Sequence, residues 1–118
     1  MPHLVIEHGN ALNTLESKKR AMQLGAKAMS ECGFISEKDI KVRIRDCEDF
    51  LLLDGRESFI HCTVRMLAGR SDDQKESLTI ALREEYEHAF PNVGSLSFEV
   101  CDCVRRAIRN GLRDLHPL

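Results

Sequence analysis

The chain has 118 residues, of which 42% are hydrophobic and 31% charged, and this composition is typical of one globular domain over residues 1–118. The 17 Lys and Arg against 19 Asp and Glu give a net charge of -2, which argues against a strongly basic nucleic-acid-binding domain. No apolar run approaches the ~20 residues that span a bilayer, and the N-terminal residues lack a signal-peptide pattern, so we expect no membrane partner.

The first two predicted elements are a strand and a helix. Residues 2–8 are β-prone and are followed by a Gly-Asn pair, which is a turn signal. Apolar residues then recur at three- and four-residue steps from Leu12 and Leu15 to Met29, with charged residues between them. This spacing predicts an amphipathic helix, and Gly33 lies where a glycine commonly caps a helix C-terminus.

The second strand is predicted by a clean alternation over residues 39–46. Its apolar and basic residues point to opposite faces, because successive side chains of a strand alternate. The apolar set is Ile40, Val42 and Ile44, and the basic set is Lys41, Arg43 and Arg45. Residues 47–58 contain three leucines and an Asp-Gly turn signal, so we expect a short hairpin arm there.

The second half of the chain repeats the strand, helix, strand layout. Residues 58–67 alternate as a third strand, and Ser71 with Gln74 forms a capping-box pattern at the start of a second helix. This helix is expected to end near the Phe-Pro pair that precedes the fourth strand, residues 95–102. The remaining residues, 104–115, are basic and predict a short helix.

The element order predicts an α+β fold built from two β-α-β units, with a four-stranded mixed sheet. Two helices can cover only one face of such a sheet, so the other face is polar. The polar side chains predicted on it are Lys41, Arg43, Arg45, His61, Thr63 and Arg65. The same order also fits ferredoxin-like domains, which serve many functions, so the fold alone does not assign one.

Pro2 is the first candidate for chemistry. Removal of the initiator Met, which is usual before a small residue such as Pro, would leave Pro2 with a free secondary amine. An α-amino group titrates near ~8, and an apolar pocket or nearby cations lower such a pKa. A base that titrates near neutral pH suits proton abstraction next to a carbonyl. The alternative is structural, because Pro also suits the start of a strand.

Arg70 is the second candidate, and it lies in an Ala-Gly-Arg-Ser turn between the third strand and the second helix. Free N–H groups at a helix start favour anions, and a guanidinium binds a carboxylate through two parallel hydrogen bonds. Lys41 and Arg43 share the basic face of the second strand, and they are candidates for an anionic substrate or a polar subunit interface. A solvated side chain is the alternative for all three residues.

The histidines and cysteines give no support for a metal site. His3, His8 and His61 are scattered over strands, without the HxxxH or CxxC spacing of metal ligands. The five cysteines are an odd number without framework spacing, which is typical of reduced thiols in a cytoplasmic protein. Cys101 and Cys103 fit the alternation of a strand end better than a redox pair.

Several of these segments together resemble the 5-carboxymethyl-2-hydroxymuconate delta-isomerase family of the tautomerase superfamily. The resemblance is carried by residues 1–7, by residues 59–64 with the turn at 68–71, and by residues 96–100. It extends over nearly the whole chain, and the first helix and the C-terminal tail are least alike. No single motif is specific, whereas their combination is.

The resemblance implies a homotrimer whose helices lie outside and whose sheets surround a central axis. It implies an isomerase that transposes C=C bonds without metal or cofactor, in aromatic-compound catabolism. Pro2 would be the general base that moves a proton from the 2-hydroxy group of a dienol to a distant carbon. Arg70 would bind a carboxylate of this small anionic substrate or stabilise the enolate. The implied substrate is an unsaturated dicarboxylate or tricarboxylate.

One departure from the family leaves the substrate open. Some members have a second arginine where this chain has Lys41, and an ammonium binds a carboxylate less directionally than a planar guanidinium. Arg43 is near in the sequence but lies one pleat further along. Two alternatives follow: a tautomerase with another substrate, such as a 2-keto acid enol or a haloacrylate, or a ferredoxin-like anion-binding or assembly module without catalysis.

Overall fold

The computed structural model describes residues 1–104, 109 and 111. Its elements are β1 (His3–Gly9), α1 (Leu15–Glu31), β2 (Lys41–Asp46), β3 (Phe59–Leu67), α2 (Asp72–Ala89) and β4 (Ser95–Cys103). A single 3-10 turn, Glu37–Asp39, precedes β2. The helix predicted over residues 104–115 lies mostly outside the described residues.

The strands form one mixed sheet in the order β2-β1-β3-β4. β1 is parallel to β2, β3 is parallel to β4, and β1 and β3 join the two pairs in antiparallel fashion. Parallel neighbours need a crossover connection, and α1 and α2 provide one for each pair. The predicted α+β fold of two β-α-β units is therefore confirmed.

The core lies between one face of the sheet and both helices. Alternate residues of β1 and β3 enter it, and they meet the buried stripes of α1 and α2. Its fully buried side chains include Leu4, Ile6, Ile60, Cys62, Val64, Ala21, Met29, Leu78, Leu82 and Tyr86. The hydroxyl of Tyr86 donates a hydrogen bond of 2.5 Å to the carbonyl oxygen of Ala21, which joins the two helices.

Gly25 lies at a close contact between α1 and the sheet. A Cβ atom at this position would lie 2.2 Å from Leu4 Cδ2 and 3.0 Å from the hydroxyl of Tyr86. Real carbon atoms do not approach this closely, so glycine sets the distance between α1 and β1. Gly25 is buried on the face of α1 that packs against the sheet.

Two expectations at the start of α1 and after β2 are wrong. Leu15 is 81% exposed, because Thr14 caps the helix with Ser17 and turns Leu15 outward, while Leu12 is buried ahead of the helix. No strand forms within residues 47–58, so the hairpin arm is absent from the described chain. The Asp-Gly turn does form, with Gly55 at a φ of 83°.

The second face of the sheet is polar, as predicted, and no described helix covers it. We call it the open face. His3 Nδ1 lies 2.9 Å from Arg43 Nη1, and His61 lies 2.6 Å from Ser97 Oγ and 3.0 Å from Glu99 Oε1. The hydrogen bonds from His61, and then from Thr63, lower the pKa of the Glu99 carboxyl. None of the helices that the structure describes is long and apolar enough to cross a membrane.

Candidate active site

A cleft opens where the start of β1 meets the turn between β3 and α2. Its volume is about 380 Å³, and both Pro2 and Arg70 line it. We call it the Pro2 cleft. The other lining residues are Met1, Phe34, Ile35, Ser36, Asp39, Met66 and Leu67. The structure thus brings together the two residues that the sequence proposed for catalysis, although they lie far apart in the chain.

Pro2 is buried at the head of β1. Its carbonyl oxygen accepts a hydrogen bond of 3.1 Å from the Lys41 N–H, which joins the starts of β1 and β2. Proline suits this first position because it has no N–H to offer the sheet. While Met1 is attached, the Pro2 nitrogen is an amide and is not basic. Loss of Met1 converts it to a secondary amine within the cleft.

Arg70 is half-buried and is held by two backbone carbonyls. Its Nη1 donates to Leu67 O at 3.2 Å, and its Nη2 donates to Phe34 O at 3.1 Å. Neutral carbonyls orient the guanidinium without cancelling its charge, and it forms no ion pair with any described residue. A guanidinium carries five N–H donors, so others are available to a ligand.

The start of α2 is less available to an anion than the sequence suggested. Ser71 and Gln74 form the predicted capping box, in which each side chain accepts the backbone N–H of the other residue at 3.1 and 2.9 Å. Two N–H groups of the helix start are therefore occupied. Attraction of a carboxylate to this end of the cleft falls mainly to the side chain of Arg70.

Lys41 and Arg43 are exposed and do not line the Pro2 cleft within one chain. Lys41 Nζ donates to the backbone oxygen of Asp39 at 3.4 Å, and Arg43 contacts His3 on the open face. Burial first, and then the positive charges of Arg43 and Lys41, lower the pKa of His3. A neutral His3 accepts the Arg43 N–H. The role of Lys41 and Arg43 in substrate binding stays a prediction.

The loop after α1 supplies a wall of the cleft that the sequence analysis missed. Phe34, Ile35, Ser36 and Asp39 line the cleft, but no motif singles them out. The strand order, rather than a local motif, predicts the position of this loop. Because β2 is parallel to β1, this loop must return to the end of the sheet where Pro2 lies.

A larger cleft, of about 590 Å³, lies at the opposite end of β1. The buried His8 lines it, and its Nε2 is 2.6 Å from Asp46 Oδ1. The His8 Nδ1 accepts the Leu12 N–H at 3.1 Å, so the ring proton is on Nε2 and is donated to Asp46. Lys18 Nζ binds the other Asp46 oxygen at 2.9 Å.

The hydrogen-bonding groups around His8 are partners of one another, and they hold the end of β1 to β2 and α1. The sequence analysis missed His8 as a core residue, although Leu4, Ile6 and His8 share one face by alternation. Nor do the described residues contain a group of three or more His, Cys, Asp or Glu side chains arranged to hold a metal ion. Because the polar groups of His8, Asp46 and Lys18 already bind one another, the Pro2 cleft is the better candidate for catalysis.

Solved structures share this fold. One is Pt0534 inactivated by 2-oxo-3-pentynoate, with 14% identity, a TM-score of 0.80, and coverage of 90% of this chain and 89% of that one. A fused 4-OT wild type symmetric trimer has 16% identity, a TM-score of 0.77, and coverage of 93% and 94%. A 5-carboxymethyl-2-hydroxymuconate isomerase from Deinococcus radiodurans R1 has 20% identity, a TM-score of 0.70, and coverage of 95% and 90%. The fold is that of the tautomerases.

The family follows from the sequence. The model of the 5-carboxymethyl-2-hydroxymuconate isomerase family matches residues 2–103, which is most of the chain. The protein belongs to this family and is an isomerase, as the resemblance predicted. No curated protein sequence matches the chain.

Proposed function

We propose that the protein is a cofactor-free keto–enol isomerase in which Pro2 is the general base and Arg70 binds a substrate carboxylate. The observation that supports this proposal best is the common cleft that Pro2 and Arg70 line. One residue can supply a basic amine and the other a fixed positive charge. These are the two groups that enol chemistry needs in the absence of a metal ion.

The proposed reaction moves one proton from an oxygen to a carbon of the substrate, with Pro2 as its carrier. The Pro2 amine takes the proton of the 2-hydroxy group, and the electron pair of that O–H bond forms the carbonyl. The conjugated double bonds shift, and the prolinium returns the same proton to a distant carbon. The product is a conjugated ketone. Apolar neighbours such as Ile35 and Met66 favour the unprotonated amine, which is the form that acts as a base.

Arg70 stabilises the negative charge that develops on the substrate. Its guanidinium is oriented by the carbonyls of Leu67 and Phe34 before any ligand binds. A donor that is already oriented does not have to reorganise during the reaction, and this lowers the barrier. In this proposal one carboxylate of the substrate lies against the N–H groups that the two carbonyls leave available.

Family membership points to an unsaturated dicarboxylate or tricarboxylate dienol of aromatic-compound catabolism as the substrate. The cleft of about 380 Å³ falls within the usual range of small-molecule sites, ~300–1,000 Å³. Lys41 and Arg43 lie outside this cleft in one chain, and we propose that they meet an anionic substrate at a contact between subunits.

We also propose that the protein is a homotrimer; three solved structures with this fold, all of fused 4-OT, are named as trimers. The open face, which no helix of the described residues covers, supports self-association, because its charged side chains are suited to a polar contact between sheets. The sheets of three chains would then surround a common axis, with the helices outside.

The test compares three preparations whose N-termini are established by intact mass. In the first, Met1 has been removed; in the second, a variant N-terminus retains a residue before Pro2; the third is the processed variant Pro2→Ala. The processed protein is expected to ketonise 2-hydroxymuconate, and the loss of dienol absorbance measures the rate. For the blocked protein and for Pro2→Ala we expect this rate to be lower by about 100-fold or more, since general bases contribute about 10²–10⁴-fold to reaction rates. Equal activity in all three would overturn the role of Pro2.

A further inference from the structure

We propose that the loop between β2 and β3, residues 47–58, of one subunit docks in a groove beside β2 of the next subunit. The groove lies between α1 and the start of β2, and its volume is about 490 Å³. We call it the β2 groove. This inference rests on the proposed homotrimer and names a contact by which its subunits meet.

The β2 groove exists because β2 is an edge strand. β1 lies on one side of β2, and the sheet that the structure describes has no strand on the other side. Ile40 and Val42 face the core from this edge and stay only half-buried. With Ala26 of α1 they form an apolar floor, and the other lining residues are Gln23, Lys27, Ser30 and Glu37. An open edge of this kind is a ready surface for another chain.

The loop between β2 and β3 presents an apolar pair that fits this floor. Leu51 and Leu53 are exposed, whereas Leu52 between them is half-buried. The two exposed side chains therefore point outward together. Ile40 and Val42 are also two residues apart, and alternate residues of an extended chain lie about 7 Å from each other. Each exposed leucine can thus pack against one apolar residue of the groove.

The charges of the two surfaces are complementary. The loop has four acidic residues, Glu48, Asp49, Asp54 and Glu57, and one basic residue, Arg56, which pairs with Asp54 at 3.2 Å. α1, which forms one wall of the groove, has four basic and two acidic residues. Its exposed Lys19 lies one helical turn before Gln23, on the stripe that lines the groove. We therefore expect the acidic loop to be attracted to this wall.

The occupant must be a second copy, because one chain cannot fill its own groove. The groove lies at the start of β2, whereas the loop follows the other end of this strand. The six residues of β2 span about 20 Å at ~3.3 Å per residue. Phe50 also holds the loop at that far end, since its ring packs edge-on against Phe59, with ring centroids 5.2 Å apart.

A contact between two different surfaces of identical chains is head-to-tail, and such contacts form a closed ring when the rotation allows it. This agrees with the proposed trimer. When three sheets surround a common axis, neighbouring sheets meet along their edges, and β2 is one of these edges.

The first experiment measures the dissociation constant of the trimer by sedimentation. Ala26→Glu places a carboxylate on the floor of the groove, where it would meet the acidic loop, and we expect the dissociation constant to rise about 10-fold or more. Ala81→Glu is the matched control, because Ala81 is a half-buried alanine of α2 that lines a different groove. Gln23→Glu, at an exposed position of the β2 groove, is the second variant if Ala26→Glu does not fold, with an expected rise of about 3-fold.

A mixing experiment tests whether the loop and the groove are partners. Ala26→Glu keeps an intact loop, and the double variant Leu51→Ser/Leu53→Ser keeps an intact groove. A mixture restores one contact, between the loop of the first protein and the groove of the second. We expect dimers in the mixture at a concentration where each variant alone sediments as a monomer.

An unchanged dissociation constant in Ala26→Glu and Gln23→Glu, an equal rise in Ala81→Glu, or a mixture without dimers would overturn the docking and leave the trimer intact. A wild-type protein that stays monomeric at high concentration would overturn the trimer and the docking together. Neither result bears on the proton transfer at Pro2, which the ketonisation assay tests separately.

Discussion

The guanidinium of Arg70 donates a hydrogen bond to the carbonyl oxygen of Phe34, which lies 36 residues earlier in the chain. This bond joins the turn between β3 and α2 to the loop after α1. The same loop forms one wall of the Pro2 cleft. Arg70 thus shapes the cleft and also presents its charge to the cleft.

We expect Arg70→Ala to lower kcat/KM by about 10- to 1,000-fold, because a charged hydrogen-bonding partner of the reacting anion is lost. Arg70→Lys should restore only part of this activity, since one ammonium cannot keep both carbonyls and a bound carboxylate in the same geometry. Steady-state kinetics with an enol substrate provide the measurement. Arg83→Ala is the control, as Arg83 is exposed on α2 and pairs only weakly with Glu87 at 3.9 Å. Full activity in Arg70→Ala would refute its assigned role.

Gly25→Ala is expected to destabilise the protein, against the usual preference for Ala in helices. In an open helix the change stabilises by about 1 kcal/mol. Here the new Cβ would lie 2.2 Å from Leu4 Cδ2, and such overpacking destabilises by about 1–3 kcal/mol. Urea unfolding gives the free energy of unfolding. Leu4→Ala should be less harmful in the Gly25→Ala background than alone, and a double-mutant cycle measures this coupling. An increase in stability on Gly25→Ala would show that α1 can move away from β1.

Asp46 should contribute to the pH dependence of stability. Hydrogen bonds from Lys18, and then from His8, lower the pKa of its carboxyl. A carboxyl whose pKa is lowered on folding stabilises the protein above its unfolded pKa, about 4, and this contribution is lost as the pH falls through the lower folded pKa. We therefore expect Asp46→Asn to be less stable than wild type at pH 7, with a difference that shrinks below about pH 4.

The measurement for Asp46 is urea unfolding at a series of pH values between neutral and acid. Asp49→Asn serves as the control, because Asp49 is exposed and its carboxylate has no partner among the described residues. It should not reproduce the pH-dependent difference. A difference between wild type and Asp46→Asn that stays constant down to pH 3 would argue against this ion-pair contribution.

The loop between β2 and β3 is expected to take part in assembly. Leu51 is 80% exposed and Leu53 is 92% exposed in a single chain, which is unusual for two neighbouring apolar side chains unless they meet a partner. Replacing both with Ser should shift the proposed trimer toward smaller species in sedimentation experiments at low protein concentration. Leu15→Ser, at an 81% exposed position on α1, is the matched control and should leave assembly unchanged. Equal sedimentation of all three proteins would exclude the loop as a contact.

The order of elements was predictable from the sequence because its signals are local. The alternation around Val42 fixes which face of β2 is buried, and the Ser71 and Gln74 pair fixes the start of α2. The start of α1 was not predictable in this way. Leu12 and Leu15 both fit the helical spacing, and the decision falls to the Thr14 cap, whose partner is a Ser rather than the usual Glu or Gln.

The site was predictable only as separate residues. Pro2 and Arg70 each suggested a chemistry, and the fold places them in one cleft. The wall from Phe34 to Asp39 depends on contacts between distant segments, which no local pattern records. The loop between β2 and β3 shows the same limit of local patterns: the turn around Gly55 forms as predicted, but the strands expected on either side of it do not. A turn needs only its own residues, whereas strands need partners.

The bond between the Pro2 carbonyl and the Lys41 N–H secures the residue just before β1 through its oxygen, leaving its nitrogen out of the sheet. Cleavage of the Met1–Pro2 bond therefore leaves this hydrogen bond between the starts of β1 and β2 intact. Under the proposed mechanism, folding does not depend on the removal of Met1. The newly made chain folds as an inactive precursor, and an aminopeptidase activates it by removing Met1. An affinity tag fused ahead of Pro2 would yield well-folded protein without activity, so tags for this enzyme belong at the other end.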